Sequence, residues 1–176
     1  GSITIKSNEL HLGKGGETVE DTAKILSTYG DGFLLRTDSD KKIEDFCKNL
    51  TIPIVNLLSP SSHPCQVLSD VFTIEEIKNK PISKLNLCWI GDCNNVLNSL
   101  IAASVKFGFN LNVGCPKNYS PPKFVMDWAK KNKRNINIFN DPKKAAKNAD
   151  VIFSDEVVSL NDKGNKVKKI KDFKNY

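Results

Sequence analysis

The sequence predicts an α/β fold of two doubly wound parallel-sheet domains, residues 1–78 and 79–176, joined by a linking helix. Three features predict it. Short apolar runs alternate with amphipathic segments of helical period along the chain, the pattern of parallel strands with helices on both faces. The alternation pauses once, over 79–83, where Pro81 sits in a polar stretch suited to a linker. The predicted strands end on polar or charged residues, and in such sheets ligands bind outside the carboxyl ends of the strands.

In the first half, Thr18 reads as an N-cap with Asp21 three residues on. It opens a helix over 19–29 whose Val19, Ala23, Leu26 and Tyr29 share one face and which Gly30 ends. Phe33-Leu34-Leu35-Arg36 follows as a short buried strand. A helix over 41–49 is expected to bury Ile43, Phe46 and Cys47. The next strand covers 52–58, with Pro53 near its start, where a missing donor is tolerated. Ser59 to Ser62 form a loop, and Pro64 suits the first position of a helix reaching Lys78 that carries Val67, Leu68, Val71, Phe72 and Ile74.

The second half repeats the alternation. Strands are expected over 85–90, 110–114, 136–139 and 151–153. Helices are expected over 95–107 (closed by Gly108), 121–131 and 141–148 (capped by Asp141). Six lysines between Lys163 and Lys174 read as the solvated face of a further helix.

Composition excludes several classes. Hydrophobic residues make up 39% and charged residues 26%, which suits a folded globular chain rather than a disordered one. No run of about 18 apolar residues occurs, so no membrane partner is expected. The start has neither the basic nor the apolar stretch of a signal peptide. Five cysteines, an odd count with no Cys-x-x-Cys pair, and only two histidines argue against a metal site and a disulfide framework. Reduced thiols in a cytoplasmic setting are expected. The net charge of +6 permits an anionic substrate, but no aromatic residues interleave with the lysines, so no nucleic acid is expected as a partner.

The strand ends supply the candidate chemistry. Arg36-Thr37 closes one strand, Asn56 the next, Gly91-Asp92 the third, Cys115-Pro116 the fourth and Ser154-Asp155 the last. Basic and acidic groups distributed over both halves point to a cleft between domains. His63 precedes Pro64, which sets it at the edge of a helix N-terminus, where unpaired N–H groups and the dipole favour an anion. There the imidazole either donates to a carbonyl oxygen as charge builds on it, with Gln66 one turn on, or is satisfied by a loop carbonyl with Gln66 on the surface. Cys65, two residues from His63, points away from it on a helix, which favours a packed thiol over a nucleophile. A dinucleotide site would need Gly-x-Gly-x-x-Gly after the third strand; Gly91 is present, but Cys93 and Val96 take the other positions, so no such cofactor is expected. Asn94 and Asn95 either cap the next helix or bind a carboxylate or ammonium through their amides.

Several of these segments closely resemble ornithine carbamoyltransferases, within the aspartate/ornithine carbamoyltransferase family. They are Glu17 to Leu26 (ETVEDTAKIL), His63-Pro64-Cys65-Gln66, the run Trp89 to Leu100 (WIGDCNNVLNSL) and Lys106-Phe107-Gly108. Cys115 to Tyr119 (CPKNY) matches a Thr-Pro-Lys-Gly-Tyr stretch, and Asp155 to Leu160 (DEVVSL) matches Asp-x-Trp-x-Ser-Met. His-Pro-x-Gln is shared with aspartate carbamoyltransferase, whereas Gly-Asp-x-Asn-Asn and Asp-x-x-x-Ser favour ornithine.

The resemblance implies carbamoyl transfer from carbamoyl phosphate to the δ-amine of L-ornithine, without metal or other cofactor, in a cytoplasmic homotrimer. It implies that Arg36 and His63 are catalytic, that Arg36, His63 and Gln66 bind carbamoyl phosphate, and that Asn95, Asp155, Ser159 and Leu160 bind ornithine. Residues 1–78 would belong to the carbamoyl-phosphate-binding domain and 79–176 to the ornithine-binding domain. The family's Ser-Thr-Arg-Thr-Arg loop would fall before residue 1 and its His-Cys-Leu-Pro motif after Tyr176. Each domain is thus expected to be incomplete in this chain, and the chain alone inactive. Val157, Leu160 and Asn161 replace the family's Trp, Met and Gly. A carbamoyltransferase with another acceptor, aspartate or putrescine, and an inactive module of the same fold are the alternatives.

Overall fold

The computed structural model describes residues 1–6, 9, 10, 12, 16–158 and 164–176. Two compact units divide the chain, Gly1–Pro60 and Ser61–Tyr176.

In the first unit, α1 (Val19–Leu26) starts where Thr18 accepts a hydrogen bond from Asp21 N–H at 3.1 Å. It stops short of the expected Tyr29, which is 65% exposed rather than on the buried face. The hydroxyls of Ser27 and Thr28 bond to the carbonyls of Ala23 and Ile25, offering the backbone an exit from the helix. α2 (Asp40–Asn49) is capped by Ser39 and buries Phe46. Cys47 is exposed, contrary to expectation, because one residue turns the helix by about 100° away from Phe46. β1 (Phe33–Arg36) and β2 (Ile54–Leu58) pair in parallel. The strand expected to be buried alternates instead: Phe33 and Leu35 pack against Ala23, Leu26 and Phe46, while Leu34 is 60% exposed on the other face.

In the second unit, α3 (Pro64–Lys78) buries Val67, Val71 and Ile74 and ends on Asn79 in the left-handed region. The stretch read as a linker is tied down. Ile82, in a 3-10 turn (Ile82–Lys84), is buried and donates its N–H to Glu75 at 2.7 Å. Four parallel strands follow, β3 (Asn86–Ile90), β4 (Asn110–Gly114), β5 (Asn137–Phe139) and β6 (Val151–Phe153), in the order β5-β4-β3-β6.

Strand alternation sorts the two faces of this sheet. Leu87, Trp89, Leu111 and Val113 join the core that α4 (Asn95–Phe107) and α5 (Lys123–Lys131) close with Leu97, Leu100, Ile101 and Ala129. On the opposite face, Asn112 Nδ2 donates to the carbonyl of Ala145 in α6 (Pro142–Ala146) at 3.2 Å. Side-chain amides also bridge strands at paired positions, Asn110 to Asn86 at 3.0 Å and Asn137 to Asn112 at 3.1 Å. These bonds fix the register, because a slip of one residue would turn every side chain to the wrong face.

Gly114 shows how closely α6 sits. A Cβ there would stand 3.0 Å from Ala145 Cβ and 3.3 Å from Pro142 Cα. Gly114→Ala is therefore expected to destabilise the second unit by about 1–3 kcal/mol, the scale of an overpacked core. A urea midpoint equal to wild type would refute the close packing of α6.

Candidate active site

The second sheet's candidate residues cluster on the turn between β3 and α4. Gly91 adopts φ 146°, a conformation costly to other residues, and donates its N–H to Gly114 O at 3.1 Å. The buried Trp89 indole donates to Asp92 O at 3.0 Å, so the turn is fixed from beneath. Asn94 does both things its sequence position allowed. Its Oδ1 accepts from the N–H groups of Val96 and Leu97 at 3.0 and 3.2 Å, while its Nδ2 donates to Asp155 Oδ2 at 2.7 Å. Asp155, just beyond β6 and exposed, also accepts from Glu156 N–H at 2.7 Å. The structure thus places Asp155 on Asn94, whereas Asn95 opens α4 and offers its carbonyl to Ser99 Oγ at 3.1 Å.

His63 is the N-cap residue of α3, at φ −136° and ψ 66°, and its side chain makes no capping bond. Its backbone N–H donates to Ser99 Oγ at 2.7 Å. The ring Nδ1 is buried and has no hydrogen-bond partner among the described residues. Gln66, one turn on, is exposed. Cys65 is partly buried. Burial pushes the Asp70 carboxyl above its ordinary range, and the charge of His63 partly opposes this.

Arg36 belongs to the first unit. It ends β1 opposite Leu58, after a shift in register, and is exposed. Ser159 and Leu160 lie outside the described residues.

Three arrangements escaped the sequence reading. The lysine-rich segment forms α7 (Lys166–Asp172), but Lys169 is not solvated: its Nζ pairs with Asp92 at 2.6 Å, the side chains only 12% and 21% exposed. Phe173 at its end packs edge-on against Tyr119, at 4.8 Å between centroids, and the Tyr119 hydroxyl donates to Asp172. Cys93 and Cys115 neighbour each other, and a proton kept on Cys93 and directed at Cys115 pushes the Cys93 thiol up and holds that of Cys115 below its ordinary value. The third is Ser99, which its four-residue spacing from Asn95 was the only sign of. All five cysteines are free thiols, and burial raises that of Cys88 to about 11.

A cavity of about 540 Å³ opens between α3, α4 and α5, walled by Pro64, Val67, Ala102, Phe124 and Trp128, with Ser99 at its lining. Its lining is mostly apolar, with Lys106 and Asn98 among the polar side chains that border it. Among the described residues no cluster of three or more His, Cys, Asp or Glu could hold a metal ion, and no helix is long and apolar enough to cross a membrane.

Parallel sheets with a polar edge, an N-terminal helix histidine and an amide-carboxylate pair define a class of ligand-binding α/β proteins. Residues 83–176 match the family model described as aspartate/ornithine carbamoyltransferase, Asp/Orn binding domain, and residues 1–76 match that family's carbamoyl-P binding domain. The chain belongs to the aspartate/ornithine carbamoyltransferase family. It is 39% identical over 175 residues to an ornithine carbamoyltransferase of Methanocorpusculum labreanum, covering 99% of this chain and 57% of that protein. The ornithine carbamoyltransferase of Pyrococcus furiosus superposes with a TM-score of 0.84 at 37% identity, over 95% of this chain and 54% of the other. That of Campylobacter jejuni, described as anabolic, gives 0.85 at 32% identity, over 96% and 56%. The chain therefore spans little more than half the length of these relatives.

The raised Asp70 carboxyl has a pH signature. Its charged form is penalised in the folded state, so the penalty is full above the folded pKa and vanishes below the ordinary value of 3.8. Asp70→Asn is expected to raise the urea midpoint at pH 7 and to lose that advantage below pH 3.8. An advantage that does not change with pH would mean the carboxyl is not the cause.

Proposed function

We propose that the protein carrying this chain transfers the carbamoyl group of carbamoyl phosphate to the δ-amine of L-ornithine, giving L-citrulline and phosphate. The observation that carries the reading is the match of both halves, in order, to the two domains of one carbamoyltransferase family, with relatives named for ornithine at 39 and 40% identity. Residues 1–78 then serve the carbamoyl-phosphate-binding domain and 79–176 the ornithine-binding domain, in a cytoplasmic homotrimer.

The chemistry needs positioning and charge stabilisation. The δ-nitrogen, as the neutral amine, forms a bond to the carbamoyl carbon; the bond from that carbon to the phosphate oxygen breaks, phosphate leaves with the electron pair, and it takes up the proton that the attacking nitrogen must lose. Arg36 neutralises charge on carbamoyl phosphate. His63 donates a hydrogen bond to the carbonyl oxygen as negative charge grows there, which is transition-state rather than ground-state binding. The ring Nδ1 is buried and has no partner among the described residues, so no internal bond at that atom sets the tautomer of the ring. Gln66 holds the carbamoyl nitrogen. Asn95 and Asp155, with Ser159 and Leu160, grip the amino-acid end of ornithine. Asp155, anchored by Asn94 and by the N–H of Glu156, is oriented before any ligand arrives. Val157 in place of the family's Trp favours a second reading, transfer to another acceptor such as putrescine or aspartate.

The test is product formation by the whole protein with ornithine, aspartate and putrescine in parallel. Citrulline with ornithine alone is expected, with His63→Ala lowering kcat by about 10²–10³-fold, as for loss of an oxyanion donor. Arg36→Ala is expected to weaken carbamoyl phosphate binding. Product from a different acceptor would move the specificity, and no product from folded protein would mark an inactive module.

A further inference from the structure

Ser99 is a buried polar side chain, 7% exposed, one turn into α4. Its hydroxyl accepts from the N–H of His63, 36 residues away, at 2.7 Å, and donates to the Asn95 carbonyl at 3.1 Å. The direction of the chain is forced. A backbone N–H can only donate and a carbonyl can only accept, so the hydroxyl proton must point at Asn95. A serine that merely bonds back to the carbonyl four residues earlier is common in helices and carries no further meaning. This one differs because the same oxygen fixes the residue preceding α3, where no side chain caps the helix.

A second bond runs alongside, from Asn98 Nδ2 to Ser61 O at 3.0 Å. The first turn of α4 thereby holds the segment leading into α3 at two points. One of them is the backbone of His63 itself, whose ring Nδ1 is buried and has no partner among the described residues.

We propose that Ser99 is a positioning residue for the reaction. It ties the backbone that carries the His63 imidazole to the start of α4, where Asn95 sits, so that the group polarising the carbamoyl carbonyl and the group receiving the acceptor share one hydrogen-bonded reference. This rests on the carbamoyl-transfer reading above. Ser99 touches neither substrate; it sets the distance between two groups that do. Misplacement by about 1 Å can cost a factor of 10² in rate, so a single hydroxyl is enough to matter.

The test has two arms. In the whole protein, Ser99→Ala and Ser99→Cys are each expected to lower kcat about tenfold to a hundredfold while KM for either substrate changes less, and Ser99→Thr, which keeps the hydroxyl, to restore most of the rate. In a His63→Ala background, Ser99→Ala is expected to add little, since the two act as one unit. Full multiplication of the two losses would overturn the proposal in favour of a general packing role. The second arm needs no activity. In the whole protein the His63 ring signal is identified in an NMR spectrum by its loss in His63→Ala. Ser99→Ala is expected to shift that signal and speed exchange of the His63 amide at least about tenfold, the scale of one lost hydrogen bond. Unchanged ring signal and exchange would overturn the proposal. If wild type makes no citrulline the carbamoyl-transfer reading falls, while this arm still decides whether Ser99 holds His63. Should Ser99→Ala not fold, Ser99→Cys carries both arms.

Discussion

The second unit depends on β3 lying in parallel register between β4 and β6. Parallel pairing sends all three chains out at the same edge, and the middle one emerges with neighbours on both sides. The turn after β3 therefore reaches β4 through Gly91 and Gly114, the segment after β6 through Asn94 and Asp155, and α7 through Asp92 and Lys169. An edge strand would have offered only one of these partners. The large buried indole of Trp89 serves the same turn from below, adding one directional bond to a side chain that is otherwise core.

Side-chain hydrogen bonds rather than burial hold the polar residues in place. Asn94 satisfies two orphan N–H groups of α4 with its oxygen and a carboxylate with its nitrogen, so capping the helix and orienting Asp155 are one event. The same economy appears at Ser99. Sites held this way lose little entropy when a ligand binds, because rotamers are already restricted. They also let one residue serve more than one function in a short turn, as Asn94 does between Asp92 and Asn95.

Much of this was legible in the sequence, and the reasons differ from place to place. α4 and β4 begin and end where capping and Gly108 say they should, since caps and left-handed glycines are local physics. Tyr29 and Cys47 were misplaced because helical spacing gives a face only while the helix lasts and only to within a residue. Leu34 was misplaced because an apolar run does not say whether a strand is covered on one face or two. The bonds from Ser99 to His63 and from Lys169 to Asp92 span 36 and 77 residues, and no periodicity encodes such pairs. Lys169 looked like its neighbours in a charge run; only its partner distinguishes it. Cys93 and Cys115 met through strand register, which follows from topology rather than from spacing.

The placement of α7 has a kinetic side. With Lys169 joined to Asp92, the helix is fastened at the edge where the strands end, and its remaining lysines, Lys166, Lys168 and Lys171, stay exposed on a chain of net charge +6. Charges on an exposed helix face act on ions in the surrounding solution before any contact is made. Their reach is about 8 Å at physiological ionic strength, so arrival of an anion should slow as salt rises while its departure is little altered.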